Sequence, residues 1–421
     1  MMKKFLALFF MMLQMFLLCG CLTITDLLEV EQEVAPVQLT PEVRVSGAWI
    51  ATVCNIDFPS ADNLDKDKLI AEIDDIVNQS VVYGLTDLFL QVRSCSDALY
   101  QSSIFPSSTY VVPVQGDVLP VDILDCFVQR AHARGLKVHA WINPYRITMP
   151  TEDKSVGWGL DRLAASNPAR IYSDCVVKHS YVADGKTMYA MYFDPGQEQT
   201  RRLLLDGAEE ILKNYDVDGL HIDDYFYPYQ DAANFADDLS YEKYGTGLNR
   251  DDWRRQNVNM LVKALGELSH QYDVVFGVSP GGIWAKQSAA LPDGIPGLGN
   301  TSQTYYDVYA DSLCWVQNKW VDYICPQIYW QAEHTLAPFK TIAAWWNDKC
   351  VQAGVDLYVG IAAYRGAEDA GAFSAPEEIA GQLAFLNSKE ACKGVVYYSY
   401  RSLKANFSNV QESMKVFRIS G

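Results

Sequence analysis

Apolar runs recur along the chain, each followed by a stretch of helical periodicity. Residues 43–53, 87–93, 137–145, 218–225, 273–280, 322–330, 356–365 and 394–400 are rich in β-branched and aromatic side chains, and most are close to continuously apolar. Such runs suit strands of a parallel sheet, whose two faces are both covered. Between them apolar residues fall at helical spacing. Within 64–83, Leu69, Ile73, Ile76 and Val77 share one stripe, and 121–134 runs into Gly135, a natural helix stop. Helices are likewise predicted for 198–215, 251–272, 306–320, 336–353 and 376–388, with 403–417 closing the chain. Eight strand–helix alternations without a strand-rich block predict an α/β fold, a (β/α)8 TIM barrel. An open doubly wound sheet would want a Gly-rich turn after its first strand. Asn55-Ile56-Asp57-Phe58-Pro59 stands there instead.

The connections are uneven. Long loops are expected after strands three, four and five, over 146–197, 226–250 and 281–305. All three leave strand C-termini, where barrel enzymes build their active sites.

The first residues carry an address. Lys3 and Lys4 precede an apolar run from Phe5 to Leu18, broken only by Gln14. That run is too short for a comfortable membrane span and fits a secretory signal. It ends Leu18-Cys19-Gly20-Cys21, which resembles the bacterial lipobox. The resemblance implies a lipoprotein signal peptide over 1–20, with Cys21 as the lipidated mature N-terminus. The chain is then exported and lipid-anchored to the cell envelope, with the membrane as a partner. Residues 21–42, with Asp26, Glu29, Glu31, Glu33, Pro36 and Pro41, read as an acidic tether. Residues 43–421 are left as the barrel domain.

Composition narrows the function. At 49% hydrophobic and 12% aromatic, the chain is too apolar to be disordered. Its 34 Lys and Arg against 52 Asp and Glu give −18, which disfavours a nucleic-acid partner. Without Lys3 and Lys4 the balance is 32 − 52 = −20, better suited to a largely neutral polymer than to a polyanion. The other mature cysteines are Cys54, Cys95, Cys126, Cys175, Cys314, Cys325, Cys350 and Cys392, with no CxxC pair. Cys54 and Cys95, at the ends of consecutive strands, are the pair to test for a disulfide. A monomer is expected.

Candidate chemistry collects at the strand ends. Strand four ends His221-Ile222-Asp223-Asp224-Tyr225. Two carboxyls this close disfavour joint ionisation, so one is held protonated, as a general acid requires. Around them stand Trp49, Asn55 and Asp57 from strand one, and Gln91, Arg93 and Asp97 from strand two. Strand three offers His139, Trp141, Asn143, Tyr145 and Arg146, and strand five Ser279 and Trp284. Gln327, Tyr329, Trp330, Tyr364 and Tyr398 follow from strands six to eight. Aromatic faces stack on sugars while amides and acids bind hydroxyls. Other chemistries lack their residues. The first strand has no H-x-H, there is no GxSxG elbow, and only six His occur. No metal and no cofactor are expected.

Five segments resemble the glycosyl-hydrolase-like 10 family: residues 47–53 (Gly-Ala-Trp-Ile-Ala-Thr-Val), 139–146 (His-Ala-Trp-Ile-Asn-Pro-Tyr-Arg), 216–228, 276–280 and 326–330. The resemblance implies a TIM-type barrel, an envelope location and hydrolysis of a polysaccharide, with N-acetylated glycans such as peptide-free peptidoglycan strands as substrates. One departure stands out. The family's usual Ser-Pro-Phe-Gly-Ile-Trp here reads Ser279-Pro280-Gly281-Gly282-Ile283-Trp284. Strands five to seven end without a partner carboxylate; Glu333, Glu368 and Asp369 lie out in loops. The adjacent pair therefore resembles substrate-assisted glycosidases of 2-acetamido sugars. Asp223 would orient the acetamido group and Asp224 would protonate the leaving oxygen, or the reverse, since strand alternation sets them on opposite faces. Asp57, Asn143 and Tyr329 would hold the sugar; Arg93, Tyr145 and Arg146 would meet hydroxyls or a lactyl carboxylate. A non-catalytic glycan-binding lipoprotein and a hydrolase of imported plant or host polysaccharide are the alternatives.

Overall fold

The computed structural model describes residues 44–368 and 371–418. The segments expected as signal peptide and tether, Cys21 and Asp369 lie outside the described residues. Eight strands close a barrel: β1 (Val45–Ile50), β2 (Asp87–Arg93), β3 (Lys137–Ile142), β6 (Gly219–Ile222), β7 (Val275–Val278), β8 (Tyr323–Ile324), β9 (Asp356–Ile361) and β10 (Cys392–Tyr397). All eight ladders are parallel. The outer helices are α1 (Lys66–Tyr83), α2 (Ile123–His132), α3 (Glu198–Asn214), α4 (Arg250–Gln271), α5 (Ser312–Gln317), α6 (Phe339–Ala353), α7 (Pro376–Asn387) and α8 (Val410–Arg418).

Local chemistry accounts for the boundaries. Asp65 caps α1 by accepting from Lys68 N at 2.9 Å, and Gly84 ends the helix at φ 67°. The region expected as one helix over 306–320 is split, because Tyr309 at φ 55° breaks it ahead of α5. β7 and β8 are shorter than the apolar runs suggest. Pro280 and Pro326 follow them, and proline cannot donate to a ladder.

The long connection after β3 is not a bare loop. It carries an antiparallel hairpin, β4 (Val176–Ala183) with β5 (Lys186–Phe193). Its turn is Asp184-Gly185, both at positive φ, the pair a two-residue hairpin favours. The hairpin is tied back by bridges from Arg146 to Tyr192 and from Thr151 to Tyr189.

The barrel interior is filled by rings packed over glycines. A Cβ on Gly277 would lie 2.0 Å from Tyr323, and one on Gly219 would lie 2.1 Å from His139. Phe89 stacks on His139 at 4.3 Å, and Tyr323 on Tyr358 at 4.4 Å. Outward-facing Leu88, Leu90 and Val92 meet the helices in the main apolar core. The sheet buries both faces, which is why its strands read as apolar runs.

Candidate active site

β6 ends at Ile222, whose carbonyl accepts from Ser279 N at 2.9 Å. Past that point the chain turns. Asp223 Oδ1 accepts from Tyr225 N at 3.2 Å, and Asp224 O accepts from Phe226 N at 3.0 Å. Strand alternation lapses in this turn, so Asp223 and Asp224 face the same cavity rather than opposite sides of a sheet. The cavity, about 330 Å³, opens at the C-terminal mouth of the barrel. Trp49 and Trp141 are buried beneath it, and Tyr329, Tyr364 and Tyr398 pack ring to ring at about 6 Å along one wall.

The two carboxyls differ in surroundings. Asp223 is almost fully buried and is bonded by Asn143 Nδ2, with the Trp141 indole beside it. Asp224 is less buried and is bonded by the Tyr229 hydroxyl, with the Gln327 side chain beside it. Burial raises both carboxyl pKa values, and within the pair the like charge of a neighbouring carboxylate adds to the rise. Arg146 opposes it. Its guanidinium is 4.6 Å above the Tyr225 ring, and Nε donates to Ser94 O at 2.9 Å.

Of the residues expected to bind substrate, Trp49, Trp141, Arg146, Tyr225, Gln327, Tyr329 and Tyr364 line this cavity. The others do not reach it. His139 and His221 point inside the barrel below it. His139 meets Asp87 at 3.0 Å and Tyr323 at 3.1 Å; His221 meets Tyr323 at 3.0 Å and Ser279 at 2.9 Å. Burial lowers the His221 pKa well below the usual imidazole value, so it is neutral. Asp57 clamps the β1 exit, accepting from Ala51 N, Ser399 Oγ and Arg401 N at 2.6–2.8 Å. Arg93 is buried over the Phe105 ring, and Asp97 is buried with Gln115 3.5 Å away. Tyr145 is buried in the main apolar core. Trp284 donates to Asp311 and stacks on Trp345, while Trp330 packs against the main core. These side chains sit near strand ends but turn outward, inward below the mouth, or into loops.

Sequence reasoning passed over Val53, Cys54, Ile56 and Met149, which line the cavity from loops, and Tyr229, which touches Asp224. None lies on a strand, so no periodicity marks them. Gly281 lies near Tyr229: a Cβ there would be 3.3 Å from its hydroxyl. The family departure at Gly281 therefore falls on the wall behind Asp224. Cys54 and Cys95, the pair to test for a disulfide, are both free thiols, Cys54 exposed and Cys95 buried. Among the described residues, no three His, Cys, Asp or Glu side chains are grouped to hold a metal.

Known proteins resemble this chain in sequence or in fold. The family model described as glycosyl hydrolase-like 10 matches residues 44–372. The chain is 36% identical to glycosyl hydrolase YngK of Bacillus subtilis (strain 168), over 88% of this chain and 71% of that protein. It is 31% identical to glycosyl hydrolase DigH of Escherichia coli (strain K12), over 76% of this chain and 73% of that protein. In fold it is similar to the β-amylase catalytic domain of Paenibacillus polymyxa, with TM-score 0.56 and 11% identity over 90% of this chain and 98% of that one. The glycoside hydrolase domain of PgaB (BpsB) from Bordetella bronchiseptica gives TM-score 0.53 and 12% identity, over 90% of this chain and all of that one.

Proposed function

Because this chain belongs to the glycosyl hydrolase-like 10 family and is a TIM-barrel glycosidase, we propose that it cleaves glycosidic bonds beside 2-acetamido sugars by substrate-assisted catalysis. Its substrate is an N-acetylated envelope glycan such as peptidoglycan strands freed of their peptides. The observation carrying this reading is the origin of the acids. Both come from one turn of chain, and among the described residues no third carboxylate lines the cavity. Double displacement needs carboxyls flanking the bond from two sides. With one side supplied, the substrate's own acetamido oxygen supplies the other.

The steps balance as follows. The acetamido oxygen attacks the anomeric carbon, the bond to the leaving sugar breaks, and one Asp, neutral, gives its proton to the leaving oxygen. The other Asp, ionised, accepts from the acetamido N–H as positive charge develops. Water then attacks the anomeric carbon and returns its proton to the first Asp, which regenerates the acetamido group. Trp49 and Trp141 give the sugar an apolar floor. Export and lipidation at Cys21 complete the proposal and place the enzyme beside an envelope substrate.

The test is turnover of peptide-free glycan strands, chitooligosaccharides and acetamido-free glucans by wild type, Asp223→Asn and Asp224→Asn. Hydrolysis confined to acetamido substrates, with at least about 100-fold loss in each variant, supports the reading. Full turnover by both variants, or equal turnover of glucans, sinks it. Loss of metabolic lipid labelling in Cys21→Ala tests the anchor.

A further inference from the structure

Gln91 and Asn143 lie between the backbone at the β1 exit and Asp223, and each is almost fully buried. Their polarity can be read outward from the backbone. Thr52 N and Val53 N both point at the Gln91 amide, at 3.0 and 2.9 Å. A backbone N–H only donates, so the atom facing them is the oxygen, Oε1. Gln91 Nε2 must then face Asn143, and at 2.6 Å it donates to Asn143 Oδ1. Asn143 Nδ2 is left facing Asp223 Oδ2, to which it donates. The other oxygen, Oδ1, accepts from Tyr225 N. Both oxygens of Asp223 thus carry donors that cannot turn round. Fixed donors on both oxygens favour the charged carboxylate over the neutral acid.

Asp224 is placed differently. Its direct partner is the Tyr229 hydroxyl, which can accept as readily as donate. Gln327, whose Nε2 donates to Ser279 O at 3.0 Å, also faces Asp224. Of these two partners only the Tyr229 hydroxyl can turn round to accept, so a proton on Asp224 has an acceptor to point at.

We infer that the Thr52–Val53 backbone, Gln91 and Asn143 form a polarised hydrogen-bond relay that keeps Asp223 ionised and leaves the proton of the pair on Asp224. Asp224 is then the acid that protonates the leaving oxygen, and Asp223 is the anion that holds the acetamido group. Gln91 and Asn143 become positioning residues, and Asn143 is not a sugar ligand. The inference rests on the glycosidase reading above and settles which Asp takes which role. The charged and titratable groups facing Asp223 are Asp224, Tyr225 and Tyr229 from the β6 exit, Arg146 from the β3 exit and Tyr398 from the β10 exit. The phenols stay neutral, since burial raises their pKa values, that of Tyr398 to about 12. Across neutral pH the pair therefore titrates against the fixed charge of Arg146.

The substrate-free protein tests the relay. Carboxyl carbons of 13C-labelled aspartate, assigned with Asp223→Asn and Asp224→Asn, are followed by NMR through the titration. The inference expects Asp223 to show the ionised shift while Asp224 is still protonated. The reverse order overturns it, whatever any variant does. Asn143→Leu and Gln91→Met, checked for a wild-type thermal midpoint, are expected to raise the lower of the pair's two pKa values by about one unit. The acid limb of kcat should move up with it, kcat falling about 10- to 100-fold and KM changing little. Activity lost with an unmoved acid limb means a merely structural role and overturns the relay. On an activated aryl N-acetylglucosaminide, whose leaving group needs no proton, Asp224→Asn should lose far less kcat/KM than it does on glycan strands, while Asp223→Asn should lose about as much on both. The opposite pattern reverses the assignment. Should wild type hydrolyse no acetamido glycan, the functional reading fails, while the NMR order still decides the relay.

Discussion

The Tyr229 hydroxyl reaches back across the turn after β6 to bond Asp224, five residues earlier. The Tyr229 pKa is raised well above its ordinary value by burial and then by the Asp224 charge, so the hydroxyl keeps its proton throughout the working range. Tyr229→Phe removes one hydrogen bond to the carboxylate that Asp224 becomes as it gives up its proton, worth about 1.5–3 kcal/mol. The expected outcome is a fall in kcat of about 10- to 100-fold with KM little changed, read from initial rates on chitooligosaccharides. An unchanged kcat would mean that Tyr229 does not hold the acid.

Tyr364 is 43% exposed at the cavity rim, with its ring 5.9 Å from Tyr329 and 6.0 Å from Tyr398. An exposed ring beside a sugar site stacks on a neighbouring residue of a longer chain. Tyr364→Ala should weaken stacking by about 1 kcal/mol, raising KM about fivefold on long oligosaccharides while sparing the shortest substrate cleaved. Equal loss on both lengths would count against a remote subsite.

Tyr323 occupies the space that a side chain at Gly277 would need, with Cζ 2.0 Å from the position of a Cβ. Tyr323 also meets both His139 and His221, so moving it breaks two buried hydrogen bonds. Gly277→Ala should cost about 3 kcal/mol or more, from overpacking and lost bonds together, measured by urea unfolding. A wild-type midpoint would show that the interior layer can shift.

Burial raises the pKa of Asp57, Asp97 and Asp194 to about 6, above the ordinary value of 3.8. The folded state then binds protons more tightly than the unfolded one. The stabilisation is complete below the unfolded pKa and is lost as pH rises through about 6. Lowering pH from 7.5 to 5 should stabilise the fold by about 1.4 kcal/mol per group. The thermal midpoint should rise accordingly, and Asp97→Asn should shrink the rise by that residue's own share of about 1.4 kcal/mol. A midpoint that falls over this range would contradict the assigned shifts.

Much of the barrel was legible before any coordinates. Val-, Ile- and aromatic-rich runs buried on both faces carry a strong pattern, so all eight strands were placed, and only their ends moved. The hairpin of β4 and β5 carries one clear signal, Asp184-Gly185 at its turn, because its strands are partly exposed and mix Lys178, His179, Ser180, Lys186 and Thr187 with apolar residues. At the site, Asp223 and Asp224 were identified from their position at a strand end, and seven of the expected partners line the cavity. His139, His221, Asp57, Arg93, Asp97, Tyr145, Trp284 and Trp330 share that neighbourhood in sequence but not in space. A side chain two residues earlier on a strand sits one layer deeper in the barrel, and one past the strand end can turn anywhere.

The sequence by itself determined the barrel, because burial of both sheet faces writes itself into consecutive residues. It also marked Asp223 and Asp224 as a pair of carboxyls at a strand end. Only the tertiary structure decided that both carboxyls enter one cavity, since β6 stops at Ile222 and the chain turns there. It alone brought Tyr229 onto Asp224, and Thr52, Val53, Gln91 and Asn143 into a line ending on Asp223. Hydrogen bonds run across strands separated by tens of residues, and their direction follows from which atoms can only donate. That information exists between elements, not along the chain.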